Sequence, residues 1–237
     1  MNKNESMNKN EEFIQMMYNV YDMYFKHGAR SNKKVDCFHT YIQSELEQIF
    51  NDEKYKVIME YNVKSANSSG FKRCDIVILK NGEPYIIFPV KIIVTNYKQN
   101  KNNSWENLTG ELSHIMWMNP EIKIIPINIY MDKTPYLNKS GTIQKYEIIT
   151  FDDISNYNIL KDKGLAYDLI NYILEVEHTQ INEKFTQMPK IVGFNSKTPF
   201  LSMCMIFFET ISQKSVKAFV NVPFRLLVSL VYLQVLR

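Results

Sequence analysis

The sequence predicts an α/β protein, an α+β mixed sheet flanked by helices. Three observations predict it. Apolar residues recur at helical spacing in two N-terminal segments and one central segment. Between them lie segments that alternate apolar with polar residues or are apolar almost throughout. An Asn-Gly pair at 81–82, flanked by two such segments, marks a tight hairpin. The resulting order is α, α, β, β, β, α, β, followed by peripheral elements.

Residues 11–27 carry Phe13, Met16, Met17, Val20, Tyr24 and Phe25 near helical spacing, and Gly28 follows as a stop. Residues 34–50 repeat the pattern with Phe38, Ile42, Leu46, Ile49 and Phe50. The period then drops to two. Residues 55–64 alternate as a half-buried strand does, and 65–70 (SANSSG) form a turn. A second strand covers 71–79, and a third, almost wholly apolar and therefore central, covers 84–95. Residues 96–103 (NYKQNKNN) read as a polar loop. Ser104 caps a helix over 104–118 with Trp105, Leu108, Leu112, Ile115 and Met116 on one side, the two tryptophans reading as core or interface residues. Strands at 122–131 and 146–150, separated by a loop, precede an amphipathic helix over 160–176.

The 237 residues suit one domain of ordinary to large size, or a domain with an appendage. A hydrophobic content of 45% argues against wholesale disorder, and three cysteines without ligand spacing argue against a disulfide scaffold. No signal-like segment opens the chain and no apolar run is long enough to span a bilayer, so an intracellular protein is expected, cytoplasmic if bacterial. A net charge of +3 points to no partner. Its distribution is uneven, however. After Lys184 the only acid is Glu209, whereas Lys190, Lys197, Lys214, Lys217, Arg225 and Arg237 are basic. The reading is therefore a domain over 1–184, with its core at about 34–131, and a basic, apolar tail over 185–237.

Within the domain, Asp75 and Lys91 interrupt apolar strands, which is costly unless the charges face a polar cleft. A tight turn at 81–83 places residue 89 opposite Asp75, and residue 91 shares that face by the two-residue period of a strand. Asp75 and Lys91 are thus expected to converge. The preceding hairpin sets Glu60 across from Asp75, a placement that a slip of one residue reverses. His27, His39 and His178 are scattered without ligand spacing, so no zinc site is assigned.

The combination of Glu45 on the leading helix, Asp75 on the second strand and Pro-Val-Lys at 89–91 on the third resembles the PD-(D/E)xK nucleases, the restriction endonuclease-like superfamily. The resemblance covers about residues 34–131. It implies an α-β-β-β-α-β core with extra N- and C-terminal helices, and a Mg²⁺-dependent endodeoxyribonuclease of restriction-modification type, with Mn²⁺ as the alternative ion. It makes Asp75 a metal ligand, with Glu45 or Glu60 as second carboxylate and the Val90 carbonyl as a further ligand. Lys91 would orient water and offset phosphoryl charge. The sequence departs from the motif at Pro89, where the second acid would stand, so the alternative is a catalytically inactive domain of this fold that binds DNA or a protein partner. DNA contacts are expected from Lys98, Gln99, Asn100, Lys101, Asn103 and Asn107, the last two on a polar stripe continued by Glu111 and His114. Cutting both strands of a duplex needs two sites, so a homodimer is expected.

Overall fold

A computed structural model describes residues 3–28 and 31–196 of the chain. They form a mixed α/β protein with helices on both faces of its sheets. Helices α1 (Lys3–His27) and α2 (Lys33–Ile49) come first, then strands β1 (Tyr55–Lys64), β2 (Phe71–Lys80), β3 (Glu83–Phe88) and β4 (Val90–Ile92). Helix α3 (Tyr97–Met118) leads to β5 (Lys123–Ile124) and β6 (Ile127–Met131). Next come a hairpin of β7 (Lys133–Leu137) and β8 (Ile143–Ile148), the short α4 (Asn158–Asp162), β9 (Ile170–Glu177) and β10 (Lys190–Ser196).

Two prolines organise the strands. The sheets run β1-β2-β3-β5 and β10-β9-β6-β4, and only single breaks separate β3 from β4 and β5 from β6. Pro89 and Pro126 lie at those breaks, where a residue without an N–H cannot continue a ladder as donor. Their carbonyls still accept: Ile127 N–H donates to Pro89 O at 2.8 Å and Ile170 N–H to Pro126 O at 2.9 Å. The third strand expected over 84–95 is therefore real but divided, with β3 parallel to β5 and β4 parallel to β6.

Successive residues of the strands feed opposite layers. On β9, Tyr172 meets Phe13 of α1 with ring centroids 4.8 Å apart, whereas Ile173 joins the cluster under α3. That cluster combines Leu108, Leu112 and Ile115 of α3 with Val77, Leu79, Ile87, Ile124 and Tyr130 of the strands, closed by Tyr157 and Leu160. On the other face, Phe13, Met17, Val20 and Tyr21 of α1 and Phe38, Ile42 and Leu46 of α2 are buried.

Three expectations need correction. The helix expected over 160–176 is absent: α4 ends at Asp162, Gly164 turns the chain with φ 70°, and Ile170–Glu177 is a strand buried along most of its length. The loop expected over 96–103 is helical from Tyr97 onward, because Asn96 starts the helix from a left-handed conformation and Glu147 Oε2 accepts the Lys98 N–H at 3.1 Å. The loop expected after 131 contains β7. In the basic tail, β10 begins at Lys190, and the remainder from residue 197 lies outside the described residues. No described helix is long and apolar enough to cross a membrane.

Candidate functional site

The break at Pro89 opens a fork in the sheet. Strands β2 and β3 pair from Lys80↔Glu83 to Ile76↔Phe88, with an irregularity between Ile78 and Leu79. Beyond Phe88 the chain follows β6 as β4, while Phe71–Cys74 of β2 stay paired only with β1. Asp75 stands at the crotch. Its Oδ2 accepts the Val90 N–H at 2.7 Å, so the carboxylate takes the place of the ladder partner that the divided strand lacks. A hydrogen bond to a charged acceptor contributes about 1.5–3 kcal/mol. Asp75 and Lys91 form no ion pair: the acid binds the backbone beside the lysine.

The flank of the fork facing α2 gathers ionisable groups. Glu60 adopts φ 56°, a left-handed conformation uncommon for a residue with a side chain and rarer still inside a strand. The β1–β2 register runs from Met59↔Ile76 to Tyr61↔Cys74, so Glu60 lies in line with Asp75. The alternation of faces slips there. Ile58 and Tyr61 both pack toward the α3 cluster, as do Cys74 and Val77 on the partner strand. Around this slip, one ligand atom each from His39, Glu60 and Asp75 lies within 4.8 Å of the others. Glu60 Oε2 is held by Arg73 Nε, and Glu60 Oε1 lies 4.0 Å from His39 Nδ1. His39 is 4% exposed and its Nε2 has no hydrogen-bond partner among the described residues. Burial holds its imidazole below the ordinary value, against the pull of Asp75, Glu60 and Asp36 in the opposite direction. A neutral, buried imidazole beside two carboxylates is a donor set that fits a divalent ion.

The flank facing α3 is a cleft of about 480 Å³. Lys91 lines it together with Ser65, Asn67 and Lys72 of the strands and hairpin, and Glu106, Asn107, Gly110, Glu111 and His114 of α3. Lys72 Nζ pairs with Glu111 Oε2 at 3.1 Å, and Lys91 has no carboxylate partner among the described residues. The His114 ring sits 5.3 Å from that of Trp117, which is 68% exposed at the end of α3. Trp105, the other tryptophan, packs against Tyr157 at 5.4 Å.

The remaining residues singled out from the sequence are spread more widely. Glu45 lies half-buried further along α2 than His39, beside Tyr41, whose hydroxyl burial and this acid push well above its ordinary value. It is not one of the three grouped ligand residues. Lys98, Gln99, Asn100, Lys101 and Asn103 occupy the first two turns of α3. Lys98 and Lys101 face Asp153: partial burial raises its carboxyl, but bonds from Thr150 and these two lysines outweigh that and hold it below the usual range. Of the expected α3 stripe, Asn107, Glu111 and His114 meet in the cleft. Reasoning from sequence missed His39, and the one signal for it was a titratable residue between Phe38 and Ile42 on the buried stripe of α2.

The chain matches no family model, no curated protein and no solved structure.

Proposed function

We propose that this chain is a metal-dependent endodeoxyribonuclease of restriction-endonuclease type, hydrolysing phosphodiester bonds at the Pro89 fork. The order α2-β1-β2-β3/β4-α3-β5/β6, with the third strand parallel to the strand after α3, agrees with the α-β-β-β-α-β core expected from the sequence resemblance. The observation that carries the reading is the gathering of Glu60, Asp75 and His39 at the same break in the sheet that bears Lys91.

In this reading Asp75 and Glu60 are the carboxylates that hold Mg²⁺ or Mn²⁺, and Glu45 lies too far along α2 to be the first choice. The bound ion supplies Lewis-acid stabilisation of a phosphoryl oxygen and an acidified water. Lys91 offsets charge on the phosphate, and Asn107 and His114 donate to phosphate or sugar oxygens across the cleft. Lys98, Gln99, Asn100, Lys101 and Asn103 extend the contact along α3 towards flanking phosphates. Duplex scission then uses two copies of the chain, one for each strand.

A second reading has a specific observation in its favour. Pro89 occupies the position of the motif's second acid, and Asp75 spends one oxygen on Val90. A domain that binds DNA or a protein partner without cleaving it shares both features. One experiment separates the readings: the full chain is incubated with duplex DNA and Mg²⁺ or Mn²⁺, with and without EDTA, beside Asp75→Asn and Lys91→Ala. The proposal expects cleavage that EDTA abolishes and that each substitution lowers by about 100-fold or more. Cleavage unchanged by both substitutions rejects the site, and salt-sensitive binding without cleavage selects the second reading.

A further inference from the structure

We propose that His39 is the third protein ligand of this centre and that it makes the site selective for a borderline transition ion, Mn²⁺, over Mg²⁺. The inference rests on reading the fork as a metal centre and names what that centre prefers. His39 projects from α2, the layer that covers this flank, and is 4% exposed. Its Nδ1 lies 4.0 Å from Glu60 Oε1, too far for a hydrogen bond. Two ligands of one ion, each at about 2.1 Å, stand roughly 3.0 Å apart when adjacent and 4.2 Å apart when opposite, so this separation suits an ion between them.

The rest of the group is already positioned. Glu60 Oε2 is engaged by Arg73 and Asp75 Oδ2 by the Val90 N–H, so each carboxylate is fixed through one oxygen and keeps the other for a ligand role. The His39 nitrogen that faces Glu60 Oε1 is Nδ1. An ion at the centre of the group would give Nδ1 an electron-pair acceptor, and Nε2, buried with no partner among the described residues, would carry the ring proton. Mg²⁺ strongly prefers oxygen and keeps much of its water, whereas imidazole nitrogen suits the first-row transition ions. A donor set of one nitrogen and two carboxylate oxygens therefore discriminates between them.

The test is a titration of the metal-free full chain with Mn²⁺, followed by electron paramagnetic resonance, and with Mg²⁺ by calorimetry, on wild type and His39→Ala. The expected result is tighter Mn²⁺ than Mg²⁺ binding by at least about 10-fold, reduced about 10- to 100-fold by His39→Ala, with Mg²⁺ affinity moving less than about 3-fold. Electron spin-echo modulation on the wild-type Mn²⁺ complex should show coupling to an imidazole nitrogen, a readout that survives a poorly folding variant. Unchanged Mn²⁺ affinity in His39→Ala, equal loss for both ions, or absence of nitrogen coupling overturns the assignment of His39 while leaving a carboxylate-held Mg²⁺ centre intact. Failure of the wild type to bind either ion overturns both this inference and the metal-dependent reading beneath it. DNA cleavage that survives Asp75→Asn, despite nitrogen coupling in the metal complex, contradicts the nuclease reading alone.

Discussion

The α2 flank of the Pro89 fork gathers its ionisable groups around one buried imidazole, whereas the α3 flank spreads them along a cleft. His39 is buried, Glu60 is twisted into a left-handed conformation against Arg73, and Asp75 is tied to the Val90 amide. Across the divided strand, Lys91, Asn107 and His114 line a cleft of about 480 Å³. Groups of the first kind can keep a small, fixed geometry, which an ion requires. Those of the second kind can follow a long, flexible polyanion. The difference teaches that one break in one strand separates two arrangements: three ligand atoms held within 4.8 Å of one another on one side, and on the other a mixed cleft where Lys91 stands among Asn107, His114, Glu106 and the Lys72–Glu111 pair. In the proposed reading the first flank holds the cation, the second contacts the nucleic-acid backbone, and the scissile phosphate lies at the fork between them.

Substitutions that act on only one flank sharpen this comparison. The largest effect is expected for Asp75→Asn, which keeps an oxygen to accept the Val90 N–H but removes the charge. Cleavage and ion binding should both fall by about 100-fold or more, with the unfolding free energy changed by no more than about 1–2 kcal/mol in denaturant unfolding. Lys91→Ala should lower cleavage by a comparable ~100-fold while ion affinity stays within about 3-fold. A parallel loss of ion affinity in Lys91→Ala would break the division between the flanks. Trp117→Ala comes next. In the nuclease reading the aromatic left 68% exposed beside His114 would stack on an unpaired or terminal base, and its loss should weaken DNA binding by about 1 kcal/mol in an anisotropy titration without altering ion affinity. The smallest effect belongs to the Lys72–Glu111 pair, which is partly exposed; a double-mutant cycle should give a coupling of about 0–1 kcal/mol.

Acid should also distinguish the flanks. Because burial holds His39 below its ordinary value, protonation is less favourable in the folded chain than in the unfolded one. The resulting stability is present above the ordinary histidine value and is lost as pH falls through the folded one. Denaturant unfolding of the metal-free protein between pH 7.5 and 5 (about the range in which histidine titrates) should therefore show a steeper decline for wild type than for His39→Gln. Equal slopes would mean that His39 is not the buried neutral group described here.

Much of this arrangement was legible before any coordinates. The hairpin at Asn81-Gly82 was legible, and Ile76↔Phe88 has the expected register; next to the turn, however, Lys80↔Glu83 is offset by one residue, and the irregularity between Ile78 and Leu79 restores the match. The first hairpin likewise lines up Glu60 with Asp75. What the pattern could not convey was the slip at Glu60, because a two-residue period assumes every strand residue is extended. That slip is where the expected common face for Asp75 and Lys91 gives way to two flanks. His39 was passed over because a residue on an apolar helical stripe reads as core, and nothing in spacing tells that a ring nitrogen is left unpartnered. Residues 170–177 illustrate the opposite failure. Ile170, Tyr172, Leu174 and Val176 alternate as well as they fit a helix, and only the β6 partner decides between the two. Tyr97–Asn103 had no apolar stripe to advertise a helix, and its start depends on Asn96 and the distant Glu147.

The most direct test of the account is single-turnover cleavage of a linear duplex by the full chain, measured against ion concentration for wild type, Asp75→Asn and Lys91→Ala. The account predicts ion-dependent scission in wild type, near-total loss in Asp75→Asn at every ion concentration, and in Lys91→Ala a lowered maximal rate with an unshifted ion midpoint. Scission by Asp75→Asn at the wild-type rate, or wild-type scission indifferent to EDTA, would contradict it.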